Sequence, residues 1–234
     1  DGVGTEKVWD WSTATTMGPE GKPVLVKDSA GRRSFDSKKG NFIWDSFLIP
    51  EYRWFNGTMR YTLLGDRIDP GRPVEINHPE GAAGETKARI WPFKVHRGKQ
   101  AYDPELMNLL VVHTAGEDHT ALWHNFDWPK AIETGMSTAG LPWSGKYDFV
   151  ATEMSWPITH MVAPKRDAVG CAQCHQHEGR LKGIAGIWLP GRDRSGIVDT
   201  LGWSMVGLAL LGTLIHGGIR LSIQYRRKKG SNAP

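Results

Sequence analysis

Cys171, Cys174 and His175 are the residues whose types and spacing indicate chemistry most clearly. They form a C-x-x-C-H pattern, which is typical of covalent haem c attachment. The two thiols can each form a thioether to one vinyl group of the same porphyrin. The imidazole that follows the second thiol then lies beneath the iron and binds it through a ring nitrogen. The pattern predicts one covalently attached haem c, with His175 as a metal ligand.

Two other chemistries use cysteines at this spacing, a redox dithiol and half of a zinc site. A zinc site of the usual kind needs a second pair of Cys or His ligands at matching spacing. A thioredoxin-like dithiol lies in a βαβ context. The sequence suggests neither context, and these are its only two cysteines. Haem attachment is therefore favoured over both alternatives.

The iron of such a haem has a second axial position, and His160 is the first candidate for it. This residue lies 15 positions before His175 in an apolar run. A histidine in apolar surroundings is more often a hydrogen-bonded core residue, but the nearby haem favours the ligand interpretation. A thioether ligand would instead raise the reduction potential relative to imidazole. The thioether candidates are Met161 and, with weaker support, Met154 and Met136.

His96 is a further candidate ligand, because it lies in a short basic run. Lys94, Arg97 and Lys99 surround it in the sequence. Cations placed in this way could pair with haem propionates. An exposed basic patch is the alternative, and the residues alone leave both interpretations open. We keep His96, with His160, as a candidate haem and metal ligand.

His113, His119 and His124 form a second group of histidines close together in the sequence. A metal site is one interpretation of this group. Their spacings of six and five do not place them on one face of a helix. Solvent exposure is therefore favoured over metal binding for these three side chains.

The distribution of glycine and proline indicates the fold class. The chain has 234 residues, including 28 glycines and 14 prolines that are scattered widely. This pattern predicts long irregular loops between short helices. The length is enough for one or two domains with a real core. The 11 tryptophans would suit either core packing or the walls of a porphyrin site.

Three stretches before the helical region carry predictions of local structure. Residues 1–40 are polar and predict an extended arm lying on another surface, or a partly disordered terminus. Residues 41–64 hold a dense aromatic cluster, which predicts short strands or loops with a packing surface. Residues 106–113 form a short apolar run, which predicts a buried strand.

A helix is predicted over residues 128–138. Asp127 precedes it as a capping residue, Pro129 lies in its first turn and Gly140 follows its end. These are the residue types that begin and end helices at such positions.

The charge distribution excludes one class of partner. The net charge is +4, and much of the excess lies in the tail at residues 226–229. The remainder of the chain is nearly neutral. The sequence therefore gives no case for nucleic-acid binding.

Residues 200–219 form a run of twenty residues without a formal charge. As a helix this run spans roughly 30 Å, the thickness of the hydrocarbon core of a bilayer. Trp203 suits one interface, and Arg220 can snorkel at the other. A buried helix of a soluble protein is the alternative, and the basic flank disfavours it. The basic tail predicts a cytoplasmic C-terminus.

The predicted span also indicates partners in the membrane. Ala209, Thr213 and Gly217 recur every four residues and give a smooth face for another helix. His216 is ionisable within the span and could bind a b-type haem of a neighbour or hydrogen-bond to a quinone. A hydrogen bond across helices is the plainer interpretation. We expect contact with membrane lipid and with an integral membrane subunit, a cytochrome b or a quinone-interacting protein.

Four segments before the C-x-x-C-H pattern resemble a known family. They are VWDWSTA (8–14), PEYRWFNG (50–57), FKVHRGKQ (93–100) and WPITHMVAPK (156–165). In this order and spacing they are similar to the C-terminal part of octahaem tetrathionate reductase-type cytochromes c. The resemblance covers about residues 8–181.

The resemblance implies a largely helical and irregular fold that carries eight c-type haems on one chain. Such proteins can reduce tetrathionate, nitrite or hydroxylamine. This chain departs from the family because it has one haem motif, and we expect it to begin just after the family's seventh. The family's active-site haem, with its lysine ligand, therefore has no counterpart here. The resemblance carries over Cys171, Cys174 and His175 for the last haem. It also implies His96 and His160 as axial ligands, either to this haem or to haems on another polypeptide.

Taken together, these observations predict a mainly α fold with much irregular structure. It consists of a multihaem cytochrome c-like periplasmic domain and one C-terminal transmembrane helix. We expect a membrane-anchored subunit that transfers electrons between a membrane cytochrome b or quinone pool and a multihaem assembly. The assembly is a multihaem cytochrome chain or a missing N-terminal part. The alternative is the C-terminal portion of a multihaem reductase of tetrathionate, nitrite or hydroxylamine.

The expected location is the inner membrane, with the haem domain in the periplasm, because thioether assembly takes place outside the cytoplasm. The expected boundaries are 1–192 for the cytochrome domain, 193–199 for a linker, 200–220 for the membrane helix and 221–234 for a basic cytoplasmic tail.

Overall fold

A computed structural model describes residues 4–159, 164–190 and 192–231 of the chain, and these fall into two compact units. We call the first the sheet unit; it consists of the described residues of Asp1–Val169 and Gly183–Ile187. We call the second the motif unit; it consists of the described residues of Gly170–Lys182 and Trp188–Pro234.

The sheet unit contains all the β-strands that the structure describes. They are β1 (Thr5–Asp10), β2 (Leu25–Lys27), β3 (Arg33–Asp36), β4 (Gly40–Asp45), β5 (Glu51–Phe55), β6 (Met59–Tyr61), β7 (Val74–Glu75), β8 (Asn77–Pro79), β9 (Arg89–Asp103), β10 (Asn108–Leu109) and β11 (Asp148–Pro157).

Nine of these strands form one mixed sheet, with the order β2-β3-β4-β1-β9-β11-β7 and with β5 and β10 also paired to β9. The pairs β1–β9 and β7–β11 are parallel, and the other pairs are antiparallel. Strands β6 and β8 form a separate two-stranded sheet. The prediction of a mainly α fold is therefore wrong, because a large mixed sheet dominates the chain.

The residues of β9 and β11 explain this correction. Along β9 the side chains of Phe93 and Val95 are buried while Lys94 between them is exposed, which is the alternation of a strand. Aromatic and β-branched residues pack well on a pleated surface and lose side-chain freedom in a helix. In β11, Val150 and Thr152 are buried in the same alternating way.

The α-helices that the structure describes in the sheet unit lie between β10 and β11 in the sequence. They are the short α1 (Leu122–Asn125) and the longer α2 (Trp128–Ala139). The predicted cap is confirmed, because the Asp127 side chain accepts a hydrogen bond from the Lys130 backbone N–H. Gly140 ends the helix with a left-handed backbone at φ +67°, which is the usual conformation of a glycine there.

The core of the sheet unit contains one side of α2. Its side chains Trp128, Ile132 and Met136 are buried with Ala101 of β9 and Leu122 of α1. The ring centroids of Trp128 and Phe149 are 5.1 Å apart, in an edge-to-face arrangement. Such pairs add to the burial of apolar surface. The aromatic residues here pack against one another as a protein core.

The segment Gly183–Ile187 belongs to the sheet unit through its contacts with β5 and the loop before β9. The Trp54 indole N–H donates a hydrogen bond of 2.9 Å to the Ala185 carbonyl. Gly186 has a left-handed backbone with φ +76°, and a Cβ there would lie 2.2 Å from the Ala83 Cβ. Only glycine therefore fits this close approach.

The motif unit contains two helices with different lengths and compositions. The short α3 (Cys171–Cys174) is a single turn, and α4 (Gly196–Ser231) has 36 residues. At about 1.5 Å per residue, α4 is long enough to extend beyond a bilayer core at either end. It includes the predicted span 200–220 and begins inside the predicted linker 193–199.

Candidate haem-attachment site

The turn α3 places both cysteines and the histidine of the motif within one helical turn. Cys171 and Cys174 are its first and last residues, and His175 is the residue that ends it. The His175 backbone N–H donates a hydrogen bond of 2.9 Å to the Cys171 carbonyl. Residues three positions apart lie on the same side of a helix. The two thiols therefore project in one direction, with the imidazole directly after them.

The loop that follows the turn folds back onto it. The Arg180 backbone N–H donates to the Gln173 carbonyl at 2.7 Å, and the Arg180 Nε atom donates to Gln173 Oε1 at 3.2 Å. A Cβ on Gly179 would lie 2.7 Å from the Cys174 carbonyl oxygen. Glycine at this position lets the loop approach the backbone of the second cysteine.

Three ionisable residues in the same loop, His177, Glu178 and Lys182, lie close enough to one another to form ion pairs. The Lys182 Nζ atom lies 2.8 Å from Glu178 Oε2. The hydrogen bond from Lys182 lowers the pKa of Glu178, so this carboxyl is ionised at neutral pH. His177 is also placed 3.0 Å from Glu178, so its ring has a carboxylate partner that the His175 ring lacks.

The residues of the turn fit a covalently attached haem. Both cysteines are free thiols, and the Cys171 side chain is exposed. Within the part of the chain that the structure describes, no hydrogen bond to the His175 ring is formed, and this ring is exposed. Two unbonded thiols and an unpaired imidazole are the groups that thioether formation and iron ligation require.

His96 lies in the middle of β9 and is held inside the sheet unit. Its side chain is 23 % exposed, and its Nε2 atom lies 3.1 Å from Glu6 Oε1. This atom is buried, and the contact with Glu6 lacks hydrogen-bond geometry, so Nε2 has no hydrogen-bond partner. Met154 is opposite His96 on β11.

A cavity of about 150 Å³ lies beside His96. Its lining includes Met154, Trp9 and Trp11. A cavity of this size is too small for a porphyrin, since ligand pockets for drug-sized molecules have roughly 300 Å³ or more. The cavity beside His96 in the sheet unit is therefore smaller than a haem, and the role of His96 as a haem ligand stays a prediction.

The basic run around His96 is used mainly for ion pairs within the sheet. The Arg97 Nη2 atom is 2.6 Å from Glu51 Oε1, and its Nε atom is 3.0 Å from Glu153 Oε1. The Lys99 Nζ atom is 3.1 Å from Asp10 Oδ2. Lys94 is exposed and forms no ion pair with any residue that the structure describes. Of the three predicted propionate partners, Lys94 is the one that has no carboxylate from the described residues beside it.

The remaining predicted ligands differ in their surroundings. Met136 is in the core, where its Sδ atom accepts a hydrogen bond from the Val111 backbone N–H at 3.2 Å. It is therefore committed to packing within the sheet unit. His160 and Met161 lie outside the described residues. Their role as axial ligands stays a prediction.

The histidines after β10 are not brought together as a group of metal ligands in the part of the chain that the structure describes. The Nε2 atom of His113 lies 3.0 Å from Asp118 Oδ2. Hydrogen bonds from Thr120 and His113 hold the pKa of Asp118 well below its usual value. The rings of His119 and His124 are exposed, with centroids 5.7 Å apart. Over residues 4–159, 164–190 and 192–231, no group of three or more His, Cys, Asp or Glu side chains is arranged to hold a metal ion.

Helix α4 contains a candidate membrane span. Residues Gly196–Arg227 are long and apolar enough to cross a bilayer by length and composition, with a mean hydropathy of 1.5 in the best window. No part of that window is buried. The Thr213 hydroxyl donates to the Ala209 carbonyl at 2.8 Å, so this polar group has a partner within the helix, as a lipid environment requires.

Two features of the site escaped the sequence analysis. Glu6, which approaches His96, is 90 positions away in the sequence, and only strand pairing brings the two together. The return of Arg180 onto Gln173 depends on loop geometry. A glycine five residues after the second cysteine was the available signal for this return, but a lone glycine has many other uses.

Comparison with known proteins identifies the class of this chain. A family model described as "Cytochrome c bacterial" matches residues 7–178. The chain belongs to this bacterial cytochrome c family. The matched region includes the C-x-x-C-H turn, which agrees with a covalently bound haem c and with a role in electron transport. Membership of this family also indicates a periplasmic haem domain.

A solved structure gives a more detailed comparison. The crystal structure of octahaem cytochrome c from Shewanella oneidensis is 37 % identical over 82 % of this chain, with a TM-score of 0.72. The chain covers 44 % of the length of that protein. No match was found among curated proteins. The predicted similarity to octahaem cytochromes is confirmed, whereas a tetrathionate reductase activity stays a prediction.

Proposed function

We propose that this chain is a membrane-anchored electron-transfer subunit. In this proposal Cys171, Cys174 and His175 hold one haem c, and α4 fixes the haem domain to the inner membrane. The subunit passes electrons between a membrane cytochrome b or quinone pool and a multihaem assembly in the periplasm. The C-terminal basic residues face the cytoplasm.

The observation that carries the proposal is the turn α3. It holds two free thiols, of which that of Cys171 is exposed, and an exposed, unpaired imidazole, in a chain that belongs to a cytochrome c family. When bound, a haem c supplies a one-electron couple between ferric and ferrous iron. The cysteines would fix its position, and His175 would hold one axial position of its iron.

The second axial ligand determines whether the site transfers electrons or binds substrate. We assign it to His160, with Met161 as the rival. Two protein ligands leave no open position on the iron, which suits electron transfer. His96 is proposed as a ligand to a further haem of the assembly, after rotation of its ring away from Glu6.

The proposed assembly is supported by the octahaem relative. That protein is named for eight haems, and this chain has one C-x-x-C-H motif and covers 44 % of its length. Haems that lie close together can pass electrons from one to the next, and a multihaem partner would give the single haem of this chain such neighbours. We therefore propose a multihaem cytochrome polypeptide, or a further part of the same polypeptide, as the redox partner.

The anchor is supported by the composition of α4. Its uncharged stretch is long enough to span the bilayer, and its basic end favours the cytoplasmic side. Ala209, Thr213 and Gly217 lie along one side of the helix, where an integral membrane subunit could approach closely. His216 lies next to this side and is proposed to hydrogen-bond to that subunit.

Reduction of the haem by quinol in membranes tests the proposal. Membranes from the native host producing the full chain are mixed with quinol, and the haem absorption is followed. We expect reduction in the wild-type chain and in a His177→Ala control, and loss of the signal in His175→Ala. The proposal fails if quinol leaves the haem oxidised although dithionite reduces it.

A second function is favoured by the partial coverage of the octahaem protein. The chain could complete a multihaem reductase of tetrathionate, nitrite or hydroxylamine, because it corresponds to 44 % of a longer cytochrome. In that case the purified assembly reduces one of the three substrates with an artificial electron donor. An assembly that reduces none of them leaves electron transfer as its function.

A further inference from the structure

Arg180 is held on the C-x-x-C-H turn by two hydrogen bonds to one residue, Gln173. The Arg180 backbone N–H donates to the Gln173 carbonyl at 2.7 Å, and its Nε atom donates to Gln173 Oε1 at 3.2 Å. Gln173 lies between the two cysteines and directly precedes Cys174. A carbonyl at the end of a helix has no partner within the helix, and Arg180 supplies one here. Both the backbone and the side chain of Arg180 are therefore fixed beside the turn.

The loop that contains Arg180 consists of two consecutive turns that share Gly179. The Gly179 N–H donates to the Gln176 carbonyl at 3.0 Å, and the Lys182 N–H donates to the Gly179 carbonyl at 3.0 Å. Residues 175–178 are exposed, whereas Gly179 is buried and Arg180 is half-buried. The chain therefore returns to the motif at Gly179 and Arg180, and a half-buried charge is screened less by solvent than an exposed one.

Arg180 also provides a positive charge that no carboxylate of the described residues offsets. The other lysine or arginine of residues 176–182 is Lys182, whose Nζ atom lies 2.8 Å from Glu178 Oε2. These two charges offset each other, while the Gln173 amide that Arg180 contacts is neutral. A guanidinium stays charged throughout the physiological pH range. One fixed cation therefore lies next to the residues that would hold the haem.

We infer that Arg180, held by Gln173, tunes the covalently attached haem and raises its reduction potential. The inference rests on the haem c of the proposed function and is independent of the membrane partner. Ferric haem carries one positive charge more than ferrous haem, so a nearby cation disfavours the ferric form. Gln173 directly precedes a cysteine that would bond to the porphyrin, so the cation is kept close to the haem.

A purely structural role for Arg180 makes a different prediction. A residue that only holds the loop in place would act through its hydrogen bonds, and the sign of its charge would not matter. Arg180→Gln removes the charge, whereas Arg180→Lys keeps it. The reduction potential separates the two roles, because it responds to the charge as well as to the fold.

A spectroelectrochemical titration of the purified full chain, produced with its haem attached, tests the inference. In Arg180→Gln we expect the ratio of ferric to ferrous haem at a fixed potential to rise roughly two- to tenfold, the size expected for one charge near a protein surface. A tenfold change corresponds to about 59 mV for a one-electron couple. Arg180→Lys is expected to stay closer to the wild-type ratio than to that of Arg180→Gln.

Gln173→Glu provides a second variant, which keeps Arg180 and the acceptor for its Nε atom. The carboxylate would pair with the guanidinium and offset its charge, so we expect the ferric-to-ferrous ratio to rise in the same direction. This variant decides the outcome if Arg180→Gln attaches no haem. The matched control is Glu178→Gln/Lys182→Gln, which removes the neighbouring ion pair without changing the net charge and is expected to leave the ratio unchanged.

The results that overturn the inference are distinct from those that overturn the proposed function. A wild-type ratio in haem-bearing Arg180→Gln or in Gln173→Glu overturns the inference, because the charge then has no effect. So does an Arg180→Lys variant or a control that shifts the ratio as far as Arg180→Gln does. Each of these results leaves the haem in place, and the proposed function with it. A wild-type chain without covalent haem contradicts both.

Discussion

The sheet unit and the motif unit differ in how far their apolar and reactive side chains are buried. In the sheet unit Trp128, Ile132 and Met136 are turned inwards and pack against the sheet. In the motif unit the residues of the α3 turn and the apolar side chains of α4 are mostly exposed. The sheet unit therefore has its own hydrophobic core. In the motif unit, the α3 turn and the apolar side chains of α4 have no such core, and they are available to bind a cofactor or to contact an apolar environment.

This difference separates stability from function in the chain. Burial of apolar surface stabilises the sheet unit, so core substitutions there should lower stability without altering the haem site directly. Substitutions in the motif unit remove thiols, an imidazole or part of the proposed membrane helix, so they should change the cofactor content or the location of the chain. The following predictions test this division, beginning with the largest effect.

Deletion of residues 196–234 should release the chain from the membrane. The deletion removes the apolar helix and leaves the C-x-x-C-H turn in place, so the haem is expected to be retained. Membrane and soluble fractions are compared by haem-stained gels. A chain that stays in the membrane fraction after washing with high salt contradicts the assigned anchor.

Trp128→Ala should lower the free energy of unfolding of the sheet unit by about 3–5 kcal/mol, because it leaves a large cavity in the core. Denaturant unfolding followed by tryptophan fluorescence measures the change. Trp156→Ala removes an exposed indole and is the matched control, with an expected change of less than about 1 kcal/mol. Equal losses in the two variants would show that the core lies elsewhere.

Asp103 should stabilise the sheet unit through hydrogen bonds to its buried carboxylate. Its oxygens accept from the backbone N–H groups of Glu105, Leu106 and Ser144 and from the Ser144 hydroxyl. Asp103→Ala leaves these donors without a partner, and we expect a loss of about 2–3 kcal/mol. Asp148→Ala, at an exposed carboxyl, is the control.

The stability that Asp103 provides should also depend on pH. Burial opposes ionisation of this carboxyl, but the hydrogen bonds outweigh that effect and lower its pKa. The unfolded chain then binds the proton more readily than the folded one. The stabilisation is therefore complete at neutral pH and is lost as the pH falls from about 4 towards the folded pKa. Asp103→Ala should flatten this part of the pH profile.

Arg97→Gln should have the smallest effect of the series. Arg97 joins three strands by its contacts with Glu51 of β5 and Glu153 of β11, but its side chain is 41 % exposed and solvent screens the charges. We expect a loss of roughly 1 kcal/mol that decreases with added salt. Arg60→Gln, in the exposed pair with Glu80, should cost less. A large, salt-independent loss would mean that this ion-pair network behaves as part of the core.

The sequence predicts best those features that depend on neighbouring residues. Asp127, Pro129 and Gly140 define the start and end of α2, because caps act within a single turn. The C-x-x-C-H turn likewise depends only on five consecutive residues, 171–175. The candidate attachment site could therefore be named from a few adjacent residues.

The sheet could not be predicted in the same way, because its strands pair over long distances in the sequence. β1 lies between β4 and β9, so residues 5–10 belong inside the sheet, although the sequence indicated only an arm on another surface. The predicted strand at 106–113 is only Asn108–Leu109. The resemblance to multihaem cytochromes implied helices, whereas the side chains of β9 alternate between buried and exposed as in a strand.

Mass analysis of the peptide that contains Cys171, Cys174 and His175 tests the central claim most directly. The full chain is produced in a host that attaches haem to a known c-type cytochrome, and it is then alkylated and digested. The account predicts that this peptide carries the mass of one haem and that neither thiol is alkylated. A haem-free peptide with both thiols alkylated, in a host that matures the known cytochrome, would contradict it.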